Sequence, residues 1–172
     1  MDSDSYVCSH CGKNHSGIPF SFAADLPDPV ANLKNEEREI RVVIGSDQCI
    51  IDEEQFFIRG CIELPVRETD GVFLWGVWAR VNERDYDEIS ENWLYEGREN
   101  RIGPFKGRLA NSLPIYSETL NLKLEIRIMP VGVRPTFFLE DPDHLISLQQ
   151  EIGLTKQKAE EYACQLLRMV TL

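Results

Sequence analysis

The sequence predicts an α+β fold, in which helices pack on an antiparallel sheet that carries an N-terminal zinc knuckle. Residues 72–78 form an apolar run typical of a central strand, and Gly76 within it indicates a bulge or a close approach by another backbone. Apolar and polar side chains alternate over 124–129, as in a half-exposed strand. Residues 159–170 instead repeat apolar side chains at helical spacing. The order of helices and strands suits helices packed on an antiparallel sheet.

The length and net charge of the chain restrict the class of protein. The chain has 172 residues and a formal net charge of −11. This length predicts a single domain over 1–172, with a zinc-knuckle segment at 6–20 and a C-terminal helix at 154–171. The charge repels nucleic acid and anionic membranes and suits a basic protein partner. Because the first residues lack a secretory signal and no apolar run spans a bilayer, we expect a cytoplasmic protein with reduced thiols.

The first candidate site is the pair Cys8 and Cys11, which are separated by two residues. This spacing lets one tight turn direct both sulfur atoms at a single zinc ion. Gly12 supplies the backbone freedom that such a turn requires. His15 follows closely enough to be a third ligand. Because the sequence has no second cysteine pair at this spacing, the fourth ligand has to be a single cysteine or histidine.

Cys49 and Cys61 flank the acidic turn signal at 52–55. A loop of two or four residues would turn the two thiols to opposite faces of the sheet, and an odd loop would place both on one face. We favour Cys49, because Asp47 and Gln48 make its surroundings the more polar. The predicted zinc ligands are Cys8, Cys11, His15 and Cys49.

The site chemistry favours a structural role for zinc. Catalytic zinc keeps an open coordination position and is richer in histidine and carboxylate than in thiolate. The chain also has no nucleotide-binding loop and no carboxylate dyad that competes with the knuckle. We therefore expect a non-enzymatic binding or interaction module. The alternative is an enzyme that uses the knuckle, either for thiol redox chemistry through Cys8 and Cys11 or for zinc-dependent hydrolysis.

The other elements follow in chain order. Asp28 is predicted as the N-cap, and Pro29 as the first residue, of a short amphipathic helix that runs to about Arg41. Residues 42–66 form a hairpin around the acidic turn. Asn82 caps a second helix.

The second half of the chain likewise combines a connection, short strands and a helix. Glycines and basic residues are interspersed over 97–108, which predicts a flexible connection, with an anion site as the alternative. Prolines divide 109–139 into short strands. His144 is typical of a cap or surface group, and Thr155 caps the C-terminal helix, in which Cys164 borders the apolar stripe.

Several short motifs occur together in this chain. They are Cys8-x2-Cys11-Gly12-x2-His15-x-Gly17-x-Pro19, Ser46-Asp47-Gln48-Cys49, Phe57-x-Arg59-Gly60-Cys61-x-Glu63-x-Pro65-Val66, Trp75-Gly76-Val77-Trp78 and Thr119-Leu120-Asn121-Leu122. From Tyr6 to Pro142 the chain thus resembles the bacterial family catalogued as domain of unknown function 2199. The resemblance implies a small bacterial cytoplasmic protein. It implies no activity, and it does not choose between Cys49 and Cys61, since both lie in its motifs.

Overall fold

The computed structural model describes residues 5–7, 14–16 and 20–169, with side chains from 20 to 169. The strands are β1 (Ser5–Val7), β2 (Asn14–Ser16), β3 (Ser21–Ala23), β4 (Val42–Ile44), β5 (Gln48–Ile51), β6 (Gln55–Pro65), β7 (Val72–Val81), β8 (Phe105–Leu109), β9 (Lys123–Arg127) and β10 (Thr136–Leu139). The helices are α1 (Asp28–Ala31), α2 (Asn35–Arg41), α3 (Glu83–Glu91), α4 (Leu145–Ile152) and α5 (Lys156–Met169).

Five consecutive strands, β6 to β10, close into a barrel. Each pairs antiparallel with the next, and β10 then pairs in parallel with β6, where Thr136 lies opposite Cys61. The closing pair is parallel because the fifth strand of an up-and-down meander runs in the same direction as the first. The prediction of a mixed helix and strand fold is confirmed. The prediction of an antiparallel sheet is corrected, because the sheet closes on itself and contains parallel pairs.

The barrel interior is the main hydrophobic core. Side chains alternate across each strand, so every second residue points inward. Ile58, Ile62, Val77 and Leu124 are fully buried there. Helices α3, α4 and α5 contribute further apolar side chains to the same core. No helix in the described part of the chain is both long and apolar enough to cross a membrane.

Three strands extend the sheet beyond the barrel. β5 and β4 continue it from β6, and β3 pairs in parallel with β7. Gly76 of β7 lies opposite Ala23 of β3, and a Cβ atom on Gly76 would lie 3.0 Å from the Cβ of Ala23. The close approach predicted at this glycine is therefore confirmed.

The helix predicted from Asp28 to Arg41 is in fact two helices, α1 and α2. Lys34 has extended backbone angles and interrupts the helical path between them. The side chain of Arg38 donates hydrogen bonds to the carbonyls of Ala31 at 2.7 Å and Leu33 at 3.1 Å. These bonds satisfy carbonyl groups that the break leaves without helical partners.

The helix caps predicted at Asn82 and Thr155 are confirmed, and the cap predicted at Asp28 is wrong, because Asp28 is the first residue of α1 and Pro27 precedes it as the N-cap. Asn82 accepts a hydrogen bond from the amide of Asp85 at 2.8 Å, and Thr155 accepts one from the amide of Lys158 at 3.1 Å. His144 is the N-cap of α4, a helix that the sequence patterns did not predict.

The stretch predicted as a loop at 97–108 is partly a strand. β8 begins at Phe105, so only the first part of the stretch connects elements. Arg98 is only 2% exposed and lies 4.7 Å from the centre of the Trp93 ring. Its guanidinium donates hydrogen bonds of 2.6–3.3 Å to the carbonyls of Trp93, Met129, Pro130 and Val133. Arg98 therefore joins this connection to the loop between β9 and β10.

Candidate functional site

The predicted zinc ligands fall partly outside the described residues. Cys8 and Cys11 are not among them, and His15 is described only by its backbone, in β2. Cys49 is described and lies in β5. Across residues 20–169, no three His, Cys, Asp or Glu side chains come together in a group that could hold a metal ion. The ligand set stays a prediction.

The register of the β5–β6 hairpin answers the question of which faces the two cysteines occupy. Ile51 pairs with Gln55, so the turn has an odd number of residues, and Cys49 lies opposite Phe57. Cys61 lies four positions beyond Phe57 on β6. Because side chains on a strand alternate with period two, Cys49 and Cys61 are on the same, outer face.

Cys49 lies inside a small apolar cluster on that outer face. Its exposed fraction is 0%, and it belongs to a cluster that includes Val30, Phe57 and Trp78. Burial raises the pKa of the Cys49 thiol to about 11, because an apolar environment disfavours the thiolate. A zinc ligand has to be a thiolate. These surroundings therefore disfavour Cys49 as a ligand.

The local reason for choosing Cys49 is wrong, because its polar sequence neighbours bond elsewhere. The carboxylate of Asp47 accepts a hydrogen bond from the guanidinium of Arg134 at 2.6 Å. The amide oxygen of Gln48 accepts one from the hydroxyl of Ser90 at 3.2 Å. The polar residues that precede Cys49 in the sequence therefore do not make the environment of its sulfur atom polar.

Cys61 has the more polar surroundings of the two cysteines. It is partly exposed, and Gly76 lies directly opposite it on β7 without a side chain. Burial raises the pKa of the Cys61 thiol, the positive charges of Arg134 and Arg59 act to lower it, and the negative charges of Glu63 and Asp47 act to raise it. Cys61 therefore combines partial exposure with two nearby cations that oppose the effect of burial.

Arg59 is the centre of the polar cluster around Cys61. Its guanidinium donates hydrogen bonds to the carbonyls of Ala24 at 3.2 Å and Ser46 at 3.4 Å. It also lies 5.6 Å from the centre of the Trp78 ring. Arg59 thus links β6 both to the segment that follows β3 and to the turn before β5.

Asp47 completes this cluster. Burial by itself would raise its pKa, but hydrogen bonds from Arg134 and Ser46 outweigh that effect and hold the pKa below its ordinary value. Asp47 and Arg134 are 87 positions apart in the chain. No local pattern marks either residue, so sequence analysis could not have paired them.

Comparison with known proteins identifies one family. The family described as "Uncharacterized protein conserved in bacteria" matches residues 7–154, which is most of the chain. No curated protein and no solved structure matches the chain significantly.

Proposed function

This chain belongs to that bacterial family, domain of unknown function 2199, and within it we propose a non-enzymatic binding or interaction module with one structural zinc ion. The zinc would hold the N-terminal segment against the outer face of the barrel. The observation that carries the proposal is the partly exposed Cys61, which shares its face with the guanidinium groups of Arg59 and Arg134. Cys8 and Cys11 would supply two further thiolates and His15 an imidazole.

The choice between Cys61 and Cys49 follows from desolvation. A thiolate at Cys49 would lie in the apolar cluster, where burial already raises the thiol pKa to about 11. Cys61 is partly exposed, and the positive charges of Arg134 and Arg59 act against burial and the nearby carboxylates of Glu63 and Asp47, which raise its pKa. We therefore propose Cys61 in place of Cys49 as the fourth ligand.

Chain length permits this arrangement. Ala23, Gly76 and Cys61 lie in register across β3, β7 and β6, so Ala23 is two strand spacings, or about 10 Å, from Cys61. The five steps from Ser16 to Ser21 can span at most about 17 Å. A segment that ends at β3 therefore has enough length for its ligands to reach the Cys61 face.

The proposed consequence of zinc binding is thermodynamic. The free energy of zinc binding adds to the free energy of folding, and in zinc-finger peptides it is on the order of 10 kcal/mol. A reducing cytoplasm would keep the cysteine thiols available for the metal. With a net charge of −11, the stabilised surface suits a basic protein partner.

Elemental analysis of the purified full chain tests the site. We expect one zinc per chain in the wild type and in the Cys49→Ala variant, and a loss of zinc in Cys8→Ser and Cys61→Ser. Cys164→Ser, which removes a thiol from α5, is the matched control and should retain the metal. Removal of the zinc by a chelator should lower the melting temperature of the wild type.

Further measurements on the same proteins distinguish the other candidate functions. Zinc that persists in Cys61→Ser but is lost in Cys49→Ala would overturn our choice of ligand. A metal-free wild type that cycles a disulfide between Cys8 and Cys11 would instead indicate a thiol redox enzyme. A zinc-bound water that exchanges with small anions would indicate zinc-dependent hydrolysis.

A further inference from the structure

Three cations lie side by side on the outer surface of the barrel. Arg80 of β7 pairs with Arg108 of β8, and Arg108 pairs in turn with Lys123 of β9. Residues directly opposite on antiparallel strands have Cα atoms about 5 Å apart, so the three positions span about 10 Å. They form a straight row across three strands, which we call the cation row.

The cation row is unfavourable for folding. Like charges directly opposite each other on a sheet destabilise it. Within residues 20–169, the side chains of Arg80 and Lys123 make no hydrogen bond or ion pair, and Arg108 donates only to the carbonyl of Asn121, at 3.2 Å. The row therefore has no carboxylate partner among these residues, in a chain whose net charge is −11.

Neighbouring cations on the same face are neutralised, in contrast to the row. Lys106 forms ion pairs with Glu125 and Glu140, and Arg127 bonds to Glu125 at 2.9 Å. This surface thus has carboxylates available for pairing, and they are placed beside other cations. The contrast indicates that the row is open to an external anion.

The surface around the row is concave and has an acidic side. A groove of about 980 Å³ is lined by all three cations and by the ion-paired Lys106 and Glu140, with Glu53, Glu54 and Glu83 along it. These carboxylates repel an extended polyanion such as nucleic acid, which the net charge also disfavours. A compact anion above the row would avoid most of this repulsion.

We propose that the cation row binds a small ligand with two or more phosphate groups. Arginine donates in a planar fork that matches phosphate oxygens, and lysine adds a point charge. The ligand would replace like-charge repulsion between the strands with charge-assisted hydrogen bonds. None of the proposed zinc ligands lies in the row, so this site is independent of the zinc proposal.

Titration of the full chain with inorganic pyrophosphate at physiological ionic strength tests the site, with backbone amide chemical shifts as the readout. We expect saturable shifts at the amides of Arg80, Arg108 and Lys123. Replacement Arg108→Gln should weaken binding about tenfold, as the loss of one charge-assisted hydrogen bond would. Lys123→Gln provides a second variant. Both side chains are exposed, so neither variant removes core packing.

The matched control is Arg168→Gln, which makes the same charge change on α5, outside the groove. It should leave pyrophosphate affinity unchanged within twofold. An equal loss in Arg168→Gln and Arg108→Gln would overturn the site, because binding would then depend only on net charge. Shifts confined to the N-terminal segment would also overturn it, since they would report metal extraction by pyrophosphate. Tighter binding of a single-stranded oligonucleotide to the same row would overturn the small-ligand class.

Discussion

The buried thiol of Cys49 predicts a loss of stability in alkaline solution. The folded protein raises the pKa of this thiol from an ordinary value of 9.0 to about 11. In the unfolded chain the thiol ionises as pH rises through 9, while in the folded protein it stays neutral until about pH 11. The contribution of the neutral Cys49 thiol to the stability of the folded protein is therefore complete below pH 9, and it is lost as the pH rises toward 11.

The expected magnitude follows from the size of the shift. Each pKa unit corresponds to about 1.4 kcal/mol, so the whole shift is worth on the order of 3 kcal/mol. At pH 10.5 about 2 kcal/mol of that amount should already be lost. Tyrosines and lysines also titrate in this range, so the effect has to be measured as a difference between proteins that share those groups.

Urea unfolding at pH 8 and pH 10.5 measures this difference. Between the two pH values, the free energy of unfolding of Cys49→Ala should fall by about 2 kcal/mol less than that of the wild type, because the variant has no thiol at this position. Cys164→Ala is the control and should follow the wild type, because it removes a thiol from outside the apolar cluster.

Two outcomes would refute the reasoning about Cys49. Equal pH dependence in the wild type and Cys49→Ala would mean that the folded protein does not hold this thiol neutral. Rapid modification of Cys49 by a thiol reagent in folded protein at pH 8 would mean that its 0% exposure does not describe the protein in solution.

Two further predictions concern Gly60, which packs against Phe137 inside the barrel, and Arg98, which holds the loop between β9 and β10. Gly60→Ala should destabilise the protein by about 2–3 kcal/mol, because the new Cβ would overlap the Phe137 ring and lie 2.7 Å from the carbonyl oxygen of Pro135. Gly45→Ala, where the nearest atom would be 4.0 Å away, should change the urea midpoint little, and similar midpoints in the two variants would contradict the packing argument. Arg98→Met should cost about 2 kcal/mol or more, since the four part-buried carbonyl groups that accept hydrogen bonds from the buried guanidinium would lose their donor. A loss below about 1 kcal/mol in urea unfolding would show that water can replace the guanidinium.

Local signals predicted the elements that depend on local physics. The apolar run at 72–78 became β7, the acidic turn became the β5–β6 hairpin, and Asn82 and Thr155 cap α3 and α5. Each of these features depends on side chains within a few residues of one another. A single sequence contains that information.

α4 and β8 were missed because their local patterns are weak. α4 exposes Leu145, Leu148 and Ile152, so its apolar residues do not mark a single buried face. β8 contains Gly107, where a Cβ atom would lie 2.9 Å from the carbonyl oxygen of Arg80. The close contact between strands requires a glycine there, and in the sequence that glycine resembles part of a loop.

The sequence by itself determined most of the strand and helix segments, the cysteine spacing of the proposed knuckle and the match to one bacterial family. The tertiary structure decided which side chains became neighbours. An odd number of turn residues put Cys49 and Cys61 on one face, where Cys49 became buried in an apolar cluster that includes Val30 of α1 while Cys61 stayed partly exposed. The register of β7, β8 and β9 aligned Arg80, Arg108 and Lys123 across three strands. Register and closure arise from contacts between distant segments, and a shift of one residue would have changed every one of these neighbours.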